Sequence, residues 1–200
     1  MWAGVRNLCL AVLLALSLTA CDTTSDSGTH APRQVSGRGM AKTKPDPLLT
    51  RRIVLVHAPS GEHLDVVYYH DGAYDKDALK KINHIMRDRH ANVDGEMDPE
   101  LIDYMLDLRT RLSLPPTVPF EIFSGYRTRE TNDMLARHNN HVAIESLHIH
   151  GWAVDFRIAH VNGAALCEIA KTMQRGGVAY YPDDNHVHID LGNIRTWNGK

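Results

Sequence analysis

Two short segments of this 200-residue chain concentrate side chains that bind metal ions. The first, SLHIHGWAVDF over residues 146–156, contains His148, His150 and Asp155. The second, NHVHIDLG over residues 185–192, contains three more at alternate positions: His186, His188 and Asp190. Imidazole nitrogens and carboxylate oxygens are ordinary ligands of zinc and other transition metals. The two segments therefore suggest a metal site, provided that the fold brings them together.

The first segment runs into a predicted strand, GWAVDFRI, in which alternate side chains share one side of the sheet. One side is apolar and is assigned to the core: Trp152, Val154, Phe156 and Ile158. Asp155 lies on the other side with Gly151 and Ala153, whose small size leaves open space beside the carboxylate. His148, on the loop before the strand, can fold back over this space.

The second segment is a predicted strand with the same alternation. Its apolar side faces the core: Val187, Ile189 and Leu191. His186, His188 and Asp190 project from the opposite side. If the two strands pair, His148, Asp155 and His188 converge. Two histidines and one carboxylate, with a fourth position open to water, are typical of catalytic zinc, whereas structural zinc sites are rich in cysteine.

Alternation alone leaves two interpretations open, a metal site and a solvated polar strand face. SLHIHGWAVD resembles the SxHxxGxAxD motif of the zinc D-Ala-D-Ala peptidase family at five positions: Ser146, His148, Gly151, Ala153 and Asp155. FSGYRTRETN before it, and GGVAYYP and HVHIDLGNIRTW after it, are similar to murein endopeptidase K and its relatives. The resemblance spans roughly residues 50–197 and favours the metal site.

The resemblance implies the hedgehog/DD-peptidase fold, a Zn²⁺ ion held by His148, Asp155 and His188, and hydrolysis of the peptide stems that cross-link peptidoglycan. Arg127, in SGYR, matches a family arginine that stabilises the developing oxyanion or binds a substrate carboxylate. A surface salt bridge is the alternative for Arg127. His150 could replace His148 on spacing alone, and only the motif favours His148.

The general base stays open between two alternatives. Carboxypeptidases of the family use a glutamate three residues before the last zinc ligand, but that position is Asn185 here, which cannot serve. In the wider superfamily, including lysostaphin-like enzymes, the first histidine of an HxH motif assists catalysis, which favours His186. Relatives of endopeptidase K are expected to carry an aromatic residue there. Asp183 and Asp184, on the preceding loop, are the alternative.

Two residues are predicted to support the site without binding the metal. Asp190 is expected to hold a ligand histidine by a hydrogen bond, and Ser146 to support the loop around His148. The missing glutamate also raises a second hypothesis, a non-catalytic cell-wall-binding lipoprotein that keeps the fold and the metal. The intact set of ligands favours the enzyme.

The rest of the pattern predicts one α+β zinc peptidase domain over residues 49–200, with a small, mostly antiparallel sheet flanked by helices. A hairpin is predicted from RRIVLVHAP and EHLDVVYYH around PSG. Helices are predicted in YDKDALKKINHIMRDR, DPELIDYMLDLRTRL, RETNDMLARHNN and AALCEIAKTMQR, and further strands in FEIFSGYR and GGVAYY. The formal net charge of −2 and the lack of a long basic run argue against a nucleic-acid partner.

The first 20 residues are predicted to be a lipoprotein signal peptide. An apolar run follows Arg6 and is shorter than the ~20 residues that a membrane-spanning helix needs. The run closes on LTAC, which resembles the bacterial lipobox, so Cys21 is expected to carry the lipid. Residues 21–48 are small and polar and are predicted to form a flexible tether.

These features predict an exported lipoprotein, held on the membrane by its lipid and facing the periplasm or cell wall. Asp22 resembles the inner-membrane retention signal of enteric bacteria. Of the three cysteines, Cys9 would leave with the signal peptide and Cys21 would be acylated. Cys167 would then have no partner for a disulfide, and its place in an amphipathic helix predicts a small buried apolar side chain.

Replacing Cys21 by Ser removes the thiol that would carry the lipid. We expect the Cys21→Ser variant to lose labelling by a fatty-acid probe and to leave the membrane fraction, while Cys167→Ser keeps both. Labelling of cells that express each variant, followed by fractionation, measures this. Unchanged labelling of Cys21→Ser would show that the lipobox is a chance match.

Overall fold

The computed structural model describes residues 49–139 and 142–199. The predicted signal peptide, Cys21, Asp22 and the tether all lie outside these residues. None of the helices in the described ranges is long and apolar enough to cross a membrane.

The described residues form eight strands and four α-helices. Their bounds, in chain order, are β1 Arg51–His57, β2 His63–His70, β3 Ala73–Tyr74, α1 Lys76–Ile85, α2 Pro99–Arg111, β4 Phe120–Ser124, α3 Arg129–His138, β5 Ala153–Ile158, α4 Gly163–Met173, β6 Gly177–Tyr181, β7 His186–Asp190 and β8 Arg195–Asn198. A short 3₁₀ helix, Leu147–His150, comes immediately before β5.

All eight strands join one sheet in the order β3-β2-β1-β4-β5-β7-β6-β8. β1 pairs with β4 in parallel, as does β6 with β8, and the other neighbours are antiparallel. The predicted α+β class is confirmed, but the small, mostly antiparallel sheet is corrected to a larger, mixed one. β1 and β4 are far apart in sequence, so no local pattern predicts their parallel pairing, whereas β6 and β8 are separated by β7 and its flanking turns.

The hairpin and the helix starts follow the predicted local signals. β1 and β2 pair as predicted, and α2 begins at Pro99 after the capping residue Asp98, whose carboxylate accepts from the Glu100 amide at 2.9 Å. The first predicted helix is shorter than expected. It ends at Ile85, beyond which the chain turns towards the end of β4, where the Tyr126 amide donates to the Met86 carbonyl.

The core lies on one side of the sheet, beneath the helices, as the alternation predicted. Val154, Phe156 and Ile158 of β5 are buried in it together with Val187 and Ile189 of β7. Cys167 is also buried there, as expected for an apolar side chain. Trp152 departs from the prediction, because it precedes β5 and is half-buried beside the ring of His150.

A buried carboxylate, Asp88, joins the loop after α1 to the start of α3. One oxygen accepts from the amides of His90 and Ala91 at 2.9 and 3.0 Å, and the other accepts from the amide and hydroxyl of Thr128, each at 2.8 Å. Thr128 caps α3, since its hydroxyl accepts from the Thr131 amide. Asp88 therefore fixes the chain next to Arg127.

Removing this carboxylate should destabilise the fold in a pH-dependent manner. Burial opposes ionisation of Asp88, but hydrogen bonds from Ala91, Thr131 and Thr128 outweigh it and lower its pKa. We expect Asp88→Ala to reduce the free energy of unfolding by about 2–3 kcal/mol near neutral pH, because charged hydrogen bonds are lost and buried donors lose their acceptor.

Because the folded pKa is lowered, this contribution is complete above the ordinary carboxyl pKa of about 3.9 and is lost as the pH falls through the folded value. Urea unfolding of both proteins over a pH series measures the difference. Asp94→Ala, which removes an exposed carboxylate of the same loop, should change stability by less than about 0.5 kcal/mol. An equal loss in both variants, or no pH dependence, would contradict the assignment.

Candidate metal centre

The register of the two central strands places Asp155 directly opposite His188. β5 and β7 are antiparallel neighbours, and both side chains project from the side opposite the core, where they are buried. Asp155 Oδ1 lies 2.8 Å from His188 Nδ1. The predicted pairing of the two polar strand faces is therefore present.

His148 reaches the pair from the 3₁₀ helix before β5, a segment predicted as loop. The helix ends at Gly151, whose positive φ of 67° turns the chain into β5. A Cβ at Gly151 would overlap the carbonyl oxygen of Glu96, so both the conformation and the space require glycine. His148 is buried, and its Nε2 lies 3.4 Å from Asp155 Oδ2.

In both His148 and His188, one ring nitrogen is hydrogen-bonded to another group of the protein. His148 Nδ1 lies 2.6 Å from the Gly125 carbonyl oxygen, which only accepts, so Nδ1 carries the proton and Nε2 points inward as a ligand atom. His188 Nε2 lies 3.0 Å from Asp190 Oδ2 and donates to it, which leaves Nδ1 inward. Asp190 thus makes the predicted hydrogen bond with His188, in the geometry typical of metal-binding histidines.

The three residues fit a metal ion. One ligand atom from each of His148, Asp155 and His188 lies within 4.8 Å of the others. Ligand atoms of tetrahedral zinc, with bonds of 2.0–2.1 Å, are about 3.3 Å apart, close to the 2.8 and 3.4 Å contacts here. A carboxylate oxygen that faces an imidazole lone pair needs a cation between them, either a proton or a metal.

The electrostatics favour the ligand protonation state at His148 and Asp155, but not at His188. Burial lowers the pKa of His148 and favours the neutral ring. For Asp155, burial is outweighed by the interactions with His148 and His188, which hold its pKa well below the ordinary value. Burial disfavours protonation of His188, but hydrogen bonds to Asp155 and Asp190 raise its pKa. A proton therefore competes with a metal for His188 as the pH falls.

The Asp190 carboxylate is fully buried and fully hydrogen-bonded. Its Oδ1 accepts from the amides of Gly177 and Gly192, each at 2.8 Å, and from Arg195. Its Oδ2 accepts from Arg195 and from His188. Burial opposes ionisation, but the His188 interaction and the two backbone amides lower the pKa of Asp190 to about 2.

Arg127 lies at the cluster and not on the open surface. Its Nη2 donates to Asp155 Oδ2 at 2.9 Å, and its Nε donates to Ser124 Oγ at 2.8 Å. Its backbone amide donates to the carbonyl of His148, which ties it to the 3₁₀ helix. Arg127 thus forms a salt bridge, as the alternative interpretation had it, but its partner is a candidate metal ligand.

His150 and Ser146 lie outside the ligand set. His150 is exposed, with its ring 5.4 Å from that of Trp152. Spacing alone left His148 and His150 equivalent, and the structure brings only His148 to Asp155. Ser146 is buried at the start of the 3₁₀ helix, where its carbonyl accepts from the Ile149 amide, and its hydroxyl does not cap the helix.

His186 lies between two aromatic rings. Its ring stacks on Tyr181 at a centroid distance of 4.5 Å and on Phe123 at 5.1 Å. Its Nδ1 is buried without a hydrogen-bond partner among the described residues and lies 3.9 Å from Asp184 Oδ2, beyond hydrogen-bonding distance. Burial lowers the pKa of His186. Asp183 and Asp184 are exposed.

Asn185 lies at the position where the carboxypeptidases of the family have their glutamate, and here it has a structural role. It has a positive φ of 53° in the turn between β6 and β7. Its side chain accepts from the Gly163 amide at 2.8 Å and donates to the Val161 carbonyl at 3.0 Å. The turn is thereby joined to the start of α4.

Two residues of β8 were missed by the sequence analysis. Arg195 pairs with Asp190, and the ring of Trp197 lies 5.1 Å from that of His188. They are two positions apart and so share one side of the strand. The strand has only four residues, which is too short for an alternating pattern to predict that it is a strand. β8 lies beside β6, with Gly177 opposite Arg195 and Ala179 opposite Trp197.

Substitutions at the cluster should separate ligands from neighbours. We expect the wild-type protein to bind about one zinc ion per chain, and the His148→Ala and Asp155→Ala variants to lose most of it. His150→Ala is the matched control and should retain zinc, because its ring is exposed. Metal analysis of the four purified proteins measures this, and equal loss in His150→Ala would show that the wrong histidine was chosen.

Comparison with known proteins supports a peptidase. The family model described as peptidoglycan L,D-endopeptidase MepK matches residues 47–197. The probable peptidoglycan L,D-endopeptidase MepK of Haemophilus influenzae is 38% identical over 140 residues, which cover 70% of this chain and 75% of that protein. Peptidoglycan L,D-endopeptidase MepK of Escherichia coli K12 is 37% identical over 150 residues, covering 74% and 80% respectively.

No solved structure matches the chain significantly. The family match covers most of the chain, including His148, Asp155 and His188, and both relatives are matched over most of their own length. The resemblance seen in the three sequence motifs is therefore confirmed. The chain belongs to the MepK family of peptidoglycan L,D-endopeptidases, within the M15 metallopeptidases.

Proposed function

We propose that this chain is a zinc-dependent murein endopeptidase that hydrolyses peptide cross-links of peptidoglycan and has the hedgehog/DD-peptidase fold. The observation that carries the proposal is the convergence of His148, Asp155 and His188, with the outer nitrogens of both histidines held by the protein. The names of the relatives support peptidoglycan as substrate and a bond between an L and a D centre. Such a bond occurs in 3→3 cross-links, which we favour over 4→3 cross-links and terminal D-amino acids.

Zinc in a site of two histidines and one carboxylate supplies a water nucleophile at neutral pH and polarises the scissile carbonyl. The chain's own contribution begins with ligand orientation. The Gly125 carbonyl and Asp190 fix the tautomer and rotation of each histidine, so that the inward nitrogens need no rearrangement. Burial of all three ligands strengthens their electrostatic effect on a substrate.

Arg127 is proposed to stabilise negative charge that develops on the scissile carbonyl oxygen. Its guanidinium already lies beside the ligand Asp155, and its contact with Ser124 limits its rotation. A fixed positive charge at this place needs little reorganisation during the reaction. Binding of a substrate carboxylate would use the same position and charge.

His186 remains the proposed proton shuttle, with Asp183 and Asp184 as alternatives. It lies on the same side of β7 as His188, two residues away, and burial favours its neutral form, as a base requires. The stacking on Phe123 and Tyr181 restricts its ring. The two aspartates are exposed and would have to reach the substrate from the loop.

We further propose, from the sequence alone, that Cys21 anchors the protein to the membrane of an exported compartment. That location would bring the domain to its substrate, and Asp22 favours the inner membrane in an enteric host.

Digestion of purified muropeptides tests the proposed activity. The protein should cleave 3→3 cross-linked dimers to monomers, lose activity with a chelator, and regain it when zinc is restored. Mass spectrometry identifies the bond from the products, with 4→3 dimers and uncross-linked stems as parallel substrates. Binding to the cell wall without cleavage of any of them would favour the non-catalytic lipoprotein.

The same assay identifies the base. We expect His186→Ala to keep its zinc but to lower kcat, typically by 10²–10⁴-fold for a lost acid–base group. His186→Phe is the control for packing, because it keeps a ring between Phe123 and Tyr181 but cannot carry a proton. Near-normal cleavage by either zinc-loaded variant would exclude His186. The loss should then appear in Asp183→Asn or Asp184→Asn.

A further inference from the structure

We propose that Arg195 is a positioning residue for the metal ligand His188 and acts through Asp190. The inference rests on the proposed zinc site. It concerns a residue outside the candidate ligand set of His148, Asp155 and His188. The contacts around the Asp190 carboxylate carry it.

The two oxygens of Asp190 are held unequally. Oδ1 accepts from two rigid backbone amides, those of Gly177 and Gly192. Oδ2 has no such backbone partner among the described residues and is shared between His188 Nε2 at 3.0 Å and Arg195 Nη2 at 2.7 Å. Arg195 Nη1 also reaches Oδ1, at 3.1 Å. Within residues 49–139 and 142–199, the guanidinium is therefore the one group that holds both oxygens, and it fixes the rotation of the carboxylate.

The space for this pair is made by glycines on two sides. A Cβ at Gly177 would overlap both the Asp190 carboxylate and the Arg195 guanidinium, and a Cβ at Gly192 would crowd the same two groups. A Cβ at Gly176 would overlap the Asp190 backbone. The backbone thus approaches the ion pair more closely than any other residue type would allow, which keeps the carboxylate in one place.

Trp197 restrains the guanidinium from a third direction. Arg195 Cζ lies 5.0 Å from the centroid of the Trp197 ring, a cation–π distance. That ring is also 5.1 Å from the His188 ring, so the indole borders both the ligand and the group that positions it. β8 therefore supports His188 twice, once through the Arg195–Asp190 contact and once through the indole.

These contacts assign a function to a half-exposed arginine. Asp190 directs His188 Nδ1 inward only while its Oδ2 stays in line with Nε2. Without the guanidinium, Oδ2 keeps His188 as its sole partner, and the carboxylate can rotate about the oxygen held by the two amides. The ligand then spends part of its time misaligned, and zinc dissociates more readily.

Zinc affinity of the full-length protein tests the inference. We expect Arg195→Gln to raise the zinc dissociation constant tenfold or more, within the 10–100-fold range for outer contacts of metal ligands. Arg195→Lys keeps the charge but cannot hold two oxygens, and should fall between Arg195→Gln and the wild type. Competition with a chromophoric chelator at fixed pH measures each constant without substrate.

Arg52→Gln is the matched control. Arg52 also pairs through two nitrogens with one aspartate, Asp65, and its side chain is 44% exposed, as is that of Arg195, but it lies on β1. Arg52→Gln should keep the wild-type zinc constant, and the melting curves of both metal-free glutamine variants should show that they remain folded at the temperature of the zinc measurement.

Three outcomes would overturn the proposal: an unchanged constant in Arg195→Gln, an equal change in Arg52→Gln, or full retention of affinity by Arg195→Lys. The first two would make Arg195 a surface residue like any other, and the third would show that charge alone matters. A protein with the expected zinc constants that cleaves no muropeptide would reject the proposed function and leave this inference intact.

Discussion

The contact between Asp155 and His188 across two central strands is the interaction on which the site depends. A carboxylate buried in this position costs several kcal/mol unless charges and hydrogen bonds compensate for its lost hydration. Here His148, His188 and Arg127 surround it, each brought by a different segment. The buried charge of Asp155 is therefore compensated only when three segments meet: the paired strand β7, the 3₁₀ helix and the chain after β4.

Local alternation was sufficient to predict which side of β5 and of β7 carries the candidate ligands. In each strand the aliphatic and aromatic residues occupy the side that faces the core, so the alternate polar side chains must project from the opposite side. Asp155 and His188 both project from that opposite side. The choice between His148 and His150 was beyond such a rule. It depends on the turn at Gly151, whose tight contact with Glu96 comes from a segment some 55 residues earlier.

The features that sequence reasoning missed depend on long-range contacts or on very short segments. β3 and β8 contain two and four residues, too few for a period to be recognised. The parallel pairing of β1 with β4 enlarges the sheet through contacts between distant segments. Arg195 was missed because its role depends on contacts with Asp190 and with the nearby glycines, which the short sequence of β8 does not reveal. The role of His186 also depends on context, since its HxH spacing suggests chemistry whereas its surroundings are an aromatic stack.

The two-residue spacing of the histidines has a consequence for the unfolded chain. His148 and His150, and likewise His186 and His188, are neighbours that an extended chain can offer to one ion as local chelating pairs. Folding separates both pairs, since one member enters the cluster while the other is exposed or stacked. If the protein binds zinc as proposed, the unfolded chain would also bind it, and zinc would raise the free energy of unfolding by less than its dissociation constant from the native protein suggests.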